Sequence, residues 1–231
     1  MSETHPGVDG MLDKSVDTKH LLAINQTMTP NGALFSRKKH GFLPELLYSM
    51  YNERTIFKKK MLGAQQKFED TKDPKYKNQI ASLHNKQMAL KIALNSAYGA
   101  VGNQYFRFYD IRIAEAVTYG GQLSIRWIEK ELNQYFNDIL QTKNVDYVIA
   151  SDTDSVYITF EKLIEKLNPP DPVKFLDTIC TEKIEPFIDG KYAELAEYVN
   201  AYEQKMVMAR EVIADKGIWT AKKRYLSLIH I

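Results

Sequence analysis

Cysteine is nearly absent from this chain. The single thiol in 231 residues, Cys180, excludes an internal disulfide and a zinc site built from several cysteines. Leu176 and Ile179 sit beside it, a setting that suits a buried small residue better than a nucleophile. No apolar run approaches membrane-spanning length, and the N-terminus lacks an apolar signal core. The expected location is therefore the cytoplasm, with no membrane partner. Excess charge is missing too: the formal net charge of +2 gives no global electrostatic case for nucleic acid, so any such case must be local. There is no internal repeat and no low-complexity tract.

What remains is a globular composition, 44% hydrophobic and 26% charged, with room for one large domain or two small ones. One stretch organises it: Tyr147-Val-Ile-Ala-Ser-Asp152-Thr-Asp154-Ser-Val-Tyr-Ile158. Apolar runs lead into and out of a polar tip, and Val156, Ile158 and Phe160 alternate with Tyr157 and Thr159, the pattern of a β-hairpin. Two carboxylates at such a tip repel unless a cation lies between them, and hard oxygen donors suit Mg²⁺. The plainer reading is an Asp-rich turn.

The elements around it read as follows. Residues 1–32 carry no sustained period and form a partly irregular lead-in. From Leu43, apolar residues recur at helical spacing through Leu62, and Arg54 and Lys58, four apart, share a face. Residues 69–74 break the helix, and a second one runs to about Tyr98 with Ile80, Leu83, Gln87, Leu90, Leu94 and Ala97 on one stripe. Residues 33–104 thus form an antiparallel helical hairpin. Its second helix carries Lys91, Asn95 and Tyr98 on another face. An aromatic connector follows, Tyr105, Phe106, Phe108 and Tyr109, expected to pack into a core, with base stacking as the alternative. A long helix spans about Ile111 to Leu140. After the Asp hairpin comes a helical stretch, 173–198, interrupted at Pro186. Residues 205–214 read as a strand, and a last strand, Ile218–Tyr225, ends in Lys222-Lys223-Arg224-Tyr225, either a phosphate-backbone contact or a solvated strand end. The fold class is α+β.

Taken in order, these pieces resemble the family B DNA polymerases, most closely the tailed-phage replicative branch. Lys91-Ile-Ala-Leu-Asn95-Ser-Ala-Tyr98-Gly99 is similar to their fingers motif, Ser151-Asp152-Thr-Asp154-Ser155 to their palm motif, and Lys222–Tyr225 to the K-K-R-Y segment that follows. Thr29–Gly32, Glu53-Arg54, Met208–Glu211 and Gly217–Trp219 match that branch in register. The resemblance implies a fingers hairpin (33–104), a partial palm with an antiparallel sheet and packed helices (105–225), and a non-family tail (226–231). It implies nucleotidyl transfer from dNTP to a primer 3′-hydroxyl on primer-template DNA by a two-metal Mg²⁺ mechanism. Asp154 would be a metal ligand, with Asp152 beside it. Arg54, Lys58 and Lys91 would meet the triphosphate, and Asn95 and Tyr98 would line the nascent base pair. Lys222, Lys223, Arg224 and Tyr225 would hold the primer backbone, and Glu211 would be an accessory acid.

Two departures bear on activity. The family's other aspartate motif, D-x-x-S-L-Y-P-S, has no match in residues 1–40, where Asp9, Asp13 and Asp17 lack the Ser-Leu-Tyr-Pro that should follow; the exonuclease is also absent. The chain stops where the thumb should begin. It is therefore expected to be a polymerase fragment with little activity alone. It would be either a partial sequence, or a split-polymerase subunit taking the other aspartate from a second chain in the (host) cytoplasm. The alternative is a DNA- or nucleotide-binding remnant without chemistry.

Overall fold

A computed structural model describes residues 6–221 and 224–228, with side chains up to residue 221. The chain divides into two units, residues 37–115 and a second unit formed by residues 1–36 with 116–231.

The first unit is a pair of long helices, α3 (Phe42–Thr71) and α4 (Lys75–Val101). The break falls where the polar run 69–74 predicted it. Thr71 folds its hydroxyl back onto the Lys67 carbonyl at 2.7 Å, and Lys72 takes a left-handed backbone (φ 54°) that ends α3. Asp73 accepts the Lys75 N–H at 3.0 Å, and Pro74 precedes the first residue of α4. Ala64, Leu83 and Gln87 are buried in this pair, the last two on the stripe expected to face inward. The connector after α4 does not pack into a core. Tyr105 is 88% exposed, Phe108 45% and Tyr109 42%. Short turns hold it: the Phe106 N–H meets the Asn103 carbonyl and the Tyr109 N–H the Phe106 carbonyl.

The second unit is built on α5 (Ile111–Leu140), which begins and ends where the spacing placed it. Leu123, Trp127, Ile128, Leu132, Phe136 and Leu140 form its buried stripe. The stretch read as a partly irregular lead-in helps to cover that stripe. Its helices α1 (Val8–Leu12) and α2 (His20–Ile24) bury Met11 and Leu21, and strand β1 (Gln26–Met28) pairs with β2 (Leu34–Ser36). Helix α6 (Glu161–Leu167) adds Leu163 to the same core.

Helix α7 (Pro172–Ile179) is capped by Asp171, which accepts the Lys174 N–H at 3.0 Å. It passes through a π-helical turn, Cys180–Ile184, into α8 (Glu185–Tyr198). The expected interruption at Pro186 takes this form. The proline ring cannot tolerate a regular helical turn before it, and the wider turn relieves the clash. Ile188, Tyr192 and Leu195 of α8 complete the core, and Trp127 donates its indole N–H to the Lys191 carbonyl at 3.1 Å.

Two strand expectations are corrected. Residues 205–214 form no strand: alternation alone cannot hold an extended segment without a ladder partner, and Val207 stands almost fully in solvent. The single last strand is a hairpin, β5 (Lys216–Ala221) paired antiparallel with β6 (Arg224–Leu228). A Cβ at Gly217 would meet the Trp219 ring at 2.6 Å, so the half-exposed indole would have to shift to admit one.

Candidate active site

The carboxylate pair sits on a hairpin of β3 (Val148–Asp152) and β4 (Ser155–Ile158), with Asp152 opposite Ser155. Helix α5 suspends the incoming strand. Asn133 accepts the N–H groups of Tyr147 (2.7 Å) and Val148 (2.9 Å), and Asn137 accepts the Val145 N–H (3.1 Å) while donating to the Val145 carbonyl (2.8 Å). The buried Tyr147 ring packs 5.4 Å from Phe136. A bulge between Val148 and Ala150 then shifts the register, leaving Ile149 exposed.

At the tip the backbone is forced. Thr153 has φ 57°, a conformation costly for a β-branched residue, and the Asp154 N–H closes onto the Asp152 carbonyl at 2.6 Å. Ser155 also donates to that carbonyl (3.1 Å), and the Thr153 hydroxyl donates to Asp152 Oδ1 (3.0 Å). Asp152 is thus half-buried and held, while Asp154 is exposed and its carboxylate accepts no hydrogen bond from the described residues. Beneath the tip lies α8: burial pushes the Tyr192 hydroxyl above its usual range, and the Asp154 charge pushes it further. Tyr157 of β4 meets Trp219 of β5 edge-on at 5.3 Å, which joins the Asp hairpin to the hairpin that leads to the Lys-Lys-Arg-Tyr segment.

An oxygen pair with one unengaged carboxylate fits Mg²⁺, which retains waters and takes substrate phosphates alongside one or two protein carboxylates. Among the described residues no group of three or more His, Cys, Asp or Glu side chains could hold a metal ion. Glu211 therefore does not join the pair. It is exposed in the non-strand segment, next to Arg210, whose N–H donates to Glu185 at 2.9 Å and whose guanidinium pairs with Asp177. Lys222 and Lys223 lie outside the described residues. Arg224 and Tyr225 stand opposite Ala221 and Trp219 in the β5–β6 ladder.

The phosphate candidates belong to the helical unit. Arg54 and Lys58 are one turn apart on α3, and Lys91 lies as far after Asp73 as Thr55 lies before it. The antiparallel return thus brings Lys91 level with that turn, a register supported by the Lys86 ammonium 5.4 Å over the Phe57 ring. The Arg54 Nε–H is buried without a hydrogen-bond partner, while Lys58, Lys91, Asn95 and Tyr98 are exposed. Residues 37–115 hold 15 Lys and Arg against 7 Asp and Glu, a net +8. The rest of the chain holds 16 against 22, a net −6. The small total charge conceals this separation.

Sequence reasoning missed Asn133, Asn137 and Tyr192. Two asparagines four apart on a helix otherwise spaced for burial were the available signal, since polar groups on an inward face need partners.

The family model for DNA polymerase family B matches residues 9–167. The chain belongs to DNA polymerase family B. Among curated relatives, it is 32% identical to the DNA-directed DNA polymerase of Enterobacteria phage T4 over 252 residues, covering 85% of this chain and 28% of that protein. The same identity and coverage hold for the DNA-directed DNA polymerase of Escherichia phage RB69. The DNA polymerase beta of African swine fever virus (isolate Tick/Malawi/Lil 20-1/1983) is 30% identical over 211 residues, 84% of this chain and 17% of the relative. This family B chain thus spans under a third of the length of these relatives. The match begins at residue 9, so it takes in most of the lead-in. No helix among the described residues is long and apolar enough to cross a membrane.

Proposed function

We propose that this chain supplies the nucleotide-binding helices and one half of the metal site of a template-directed DNA polymerase. The observation that carries this reading is the Asp hairpin: a strained turn holds Asp152 and leaves the Asp154 carboxylate unengaged. Asp154, with Asp152 beside it, would hold Mg²⁺. When bound, the two metal ions would supply positive charge at the primer 3′-hydroxyl and the departing pyrophosphate.

The other residues have binding and orienting roles. Arg54 contacts the triphosphate through its guanidinium, with the Lys58 and Lys91 ammonium groups as point charges on the same phosphates. Asn95 and Tyr98, one and two turns beyond Lys91 on α4, line the nascent base pair. Lys222, Lys223, Arg224 and Tyr225 hold the primer backbone without reading sequence. The second metal-bridging aspartate comes from sequence outside this chain, either upstream in the same protein or on a partner chain.

Primer extension with Mg²⁺ tests the proposal, using this chain with and without a co-expressed segment carrying the other aspartate motif. Activity should appear only in the complemented sample and vanish in Asp154→Ala. Complemented activity that survives Asp154→Ala would overturn the metal role. Binding of dNTP and DNA with no extension under any complementation would favour a second reading, a binding remnant without chemistry.

A further inference from the structure

We infer that the Tyr192 hydroxyl is a positioning group for Asp154: it donates through one water molecule to the Asp154 carboxylate and fixes which oxygen of that carboxylate is turned to the metal. The inference rests on the polymerase reading above, in which Asp154 is a metal ligand. Tyr192 stands on α8 between Ile188 and Leu195, on the face that closes the core. It is 4% exposed, and the same core takes in Val148 of β3 and, partly buried, Val156 and Ile158 of β4. The ring therefore lies under the hairpin that carries the aspartates. A phenylalanine would fill that space equally well, so packing does not account for the hydroxyl. Buried tyrosine hydroxyls ordinarily find a hydrogen-bond partner. This one has none among the described residues, and Asp154 is the charge that acts on it.

The two aspartates differ in what holds them. Asp152 Oδ1 accepts the Thr153 hydroxyl at 3.0 Å, whereas the Asp154 carboxylate accepts nothing from its own turn. Carboxylates that ligate metals are themselves hydrogen-bonded, which sets their orientation and basicity. Tyr192 is placed to supply that bond, and both sides of the pairing are anchored to one helix. On the α8 side, Trp127 of α5 donates to the Lys191 carbonyl at 3.1 Å. The Lys191 ammonium, on the residue before Tyr192, joins Glu131 of α5 (3.0 Å) and Glu194 of α8 (2.8 Å). On the hairpin side, Asn133 of α5 holds the Tyr147 and Val148 N–H groups. Hydroxyl and hairpin are thus fixed to the same two turns of α5, and the Asp154 side chain is what remains to be oriented. The two groups share no direct bond, and a bridging water loses little enthalpy against one.

The test compares the full chain with Tyr192→Phe and Asp154→Ala. Mn²⁺ stands in for Mg²⁺, and the electron paramagnetic resonance signal of the free ion reports how much is bound. Wild type should bind Mn²⁺ at a site that Asp154→Ala lacks. Tyr192→Phe should keep that site with about tenfold weaker affinity. In primer extension complemented by a segment carrying the other aspartate motif, it should need about tenfold more Mg²⁺ for the half-maximal rate and recover at saturating Mg²⁺. The ring is retained and the lost hydroxyl has no partner in the protein, so the melting temperature of Tyr192→Phe should match or exceed that of wild type. Equal Mn²⁺ affinity in Tyr192→Phe and wild type would overturn the positioning role while leaving the polymerase reading in place. A clearly lower melting temperature in Tyr192→Phe would also overturn it, by assigning the hydroxyl to the core. Equal Mn²⁺ binding by wild type and Asp154→Ala would overturn both this role and the metal role of Asp154.

Discussion

Asn133 holds Tyr147: one amide oxygen on α5 accepts the Tyr147 N–H at 2.7 Å and, beside it, the Val148 N–H at 2.9 Å. The strand that delivers the two aspartates is thereby hung from the helix at the centre of its unit. Asn133→Ala should destabilise the chain by about 2 kcal/mol or more, because it strands two donors at the edge of the core. Asn133→Asp, which keeps the acceptor, should retain most of the stability. Urea unfolding of the three proteins distinguishes them, and equal midpoints would show that the bonds are dispensable.

Arg54 predicts a trade between stability and binding. Its buried, unpartnered Nε–H costs about 1 kcal/mol or more in the free chain. Arg54→Met should therefore hold or raise the unfolding free energy while weakening binding of a fluorescent dNTP by about tenfold. A variant that loses stability and keeps nucleotide affinity would show that the guanidinium serves the fold instead.

Alkaline pH should unfold the second unit. Burial pushes the Cys180 thiol above its usual 9.0 and the Tyr192 and Tyr198 hydroxyls above their usual 10.0. In each case the native state favours the neutral form. The contribution to stability is then fully present below the ordinary values and is lost as pH rises through the native ones. Thermal midpoints should fall beginning near pH 9, and Cys180→Ala should remove the earliest part of that fall. Cys180 should also resist alkylation until the chain unfolds.

Gln141, just past the end of α5, has a left-handed backbone with φ 57° and is exposed. Glycine adopts that conformation without steric cost. Gln141→Gly should raise stability by about 0.5–1 kcal/mol, seen as a higher melting temperature. An unchanged or lower value would mean that the side chain contributes a contact of similar size.

Much of this arrangement could be read from residue order. The limits of α5 and the α3–α4 break follow from helical spacing and from a polar run closed by Pro74. The tip of the Asp hairpin follows from alternation on one side and turn-forming residues in the middle. The failures have a common physical origin. Residues 205–214 alternate as a strand would, but a strand exists only with a neighbour to bond, and no local pattern reveals one. The aromatic connector looked like core because aromatic residues usually are, yet whether a ring is covered depends on what folds over it. Tyr192 lies beneath Asp154 through contacts made across the chain, which spacing along the chain does not encode.

The bulge at Ile149 carries one further consequence. Val148 pairs with Ile158 and Ala150 with Tyr157, so Ile149 is a surplus position with no partner of its own on β4. The register of the tip is therefore indifferent to which residue stands at 149. Ile149, half exposed at 50%, should accept alanine or threonine at little cost. Deleting it would make Val148 and Ala150 neighbours in an unbroken ladder and leave Asp152 opposite Ser155, with loss of the bend that the bulge supplies. Comparing Ile149→Ala with the single-residue deletion in the complemented extension assay would read this directly: the first active, the second weakened, because the bend aims the aspartates. The position contributes the shape of the backbone and not a side chain.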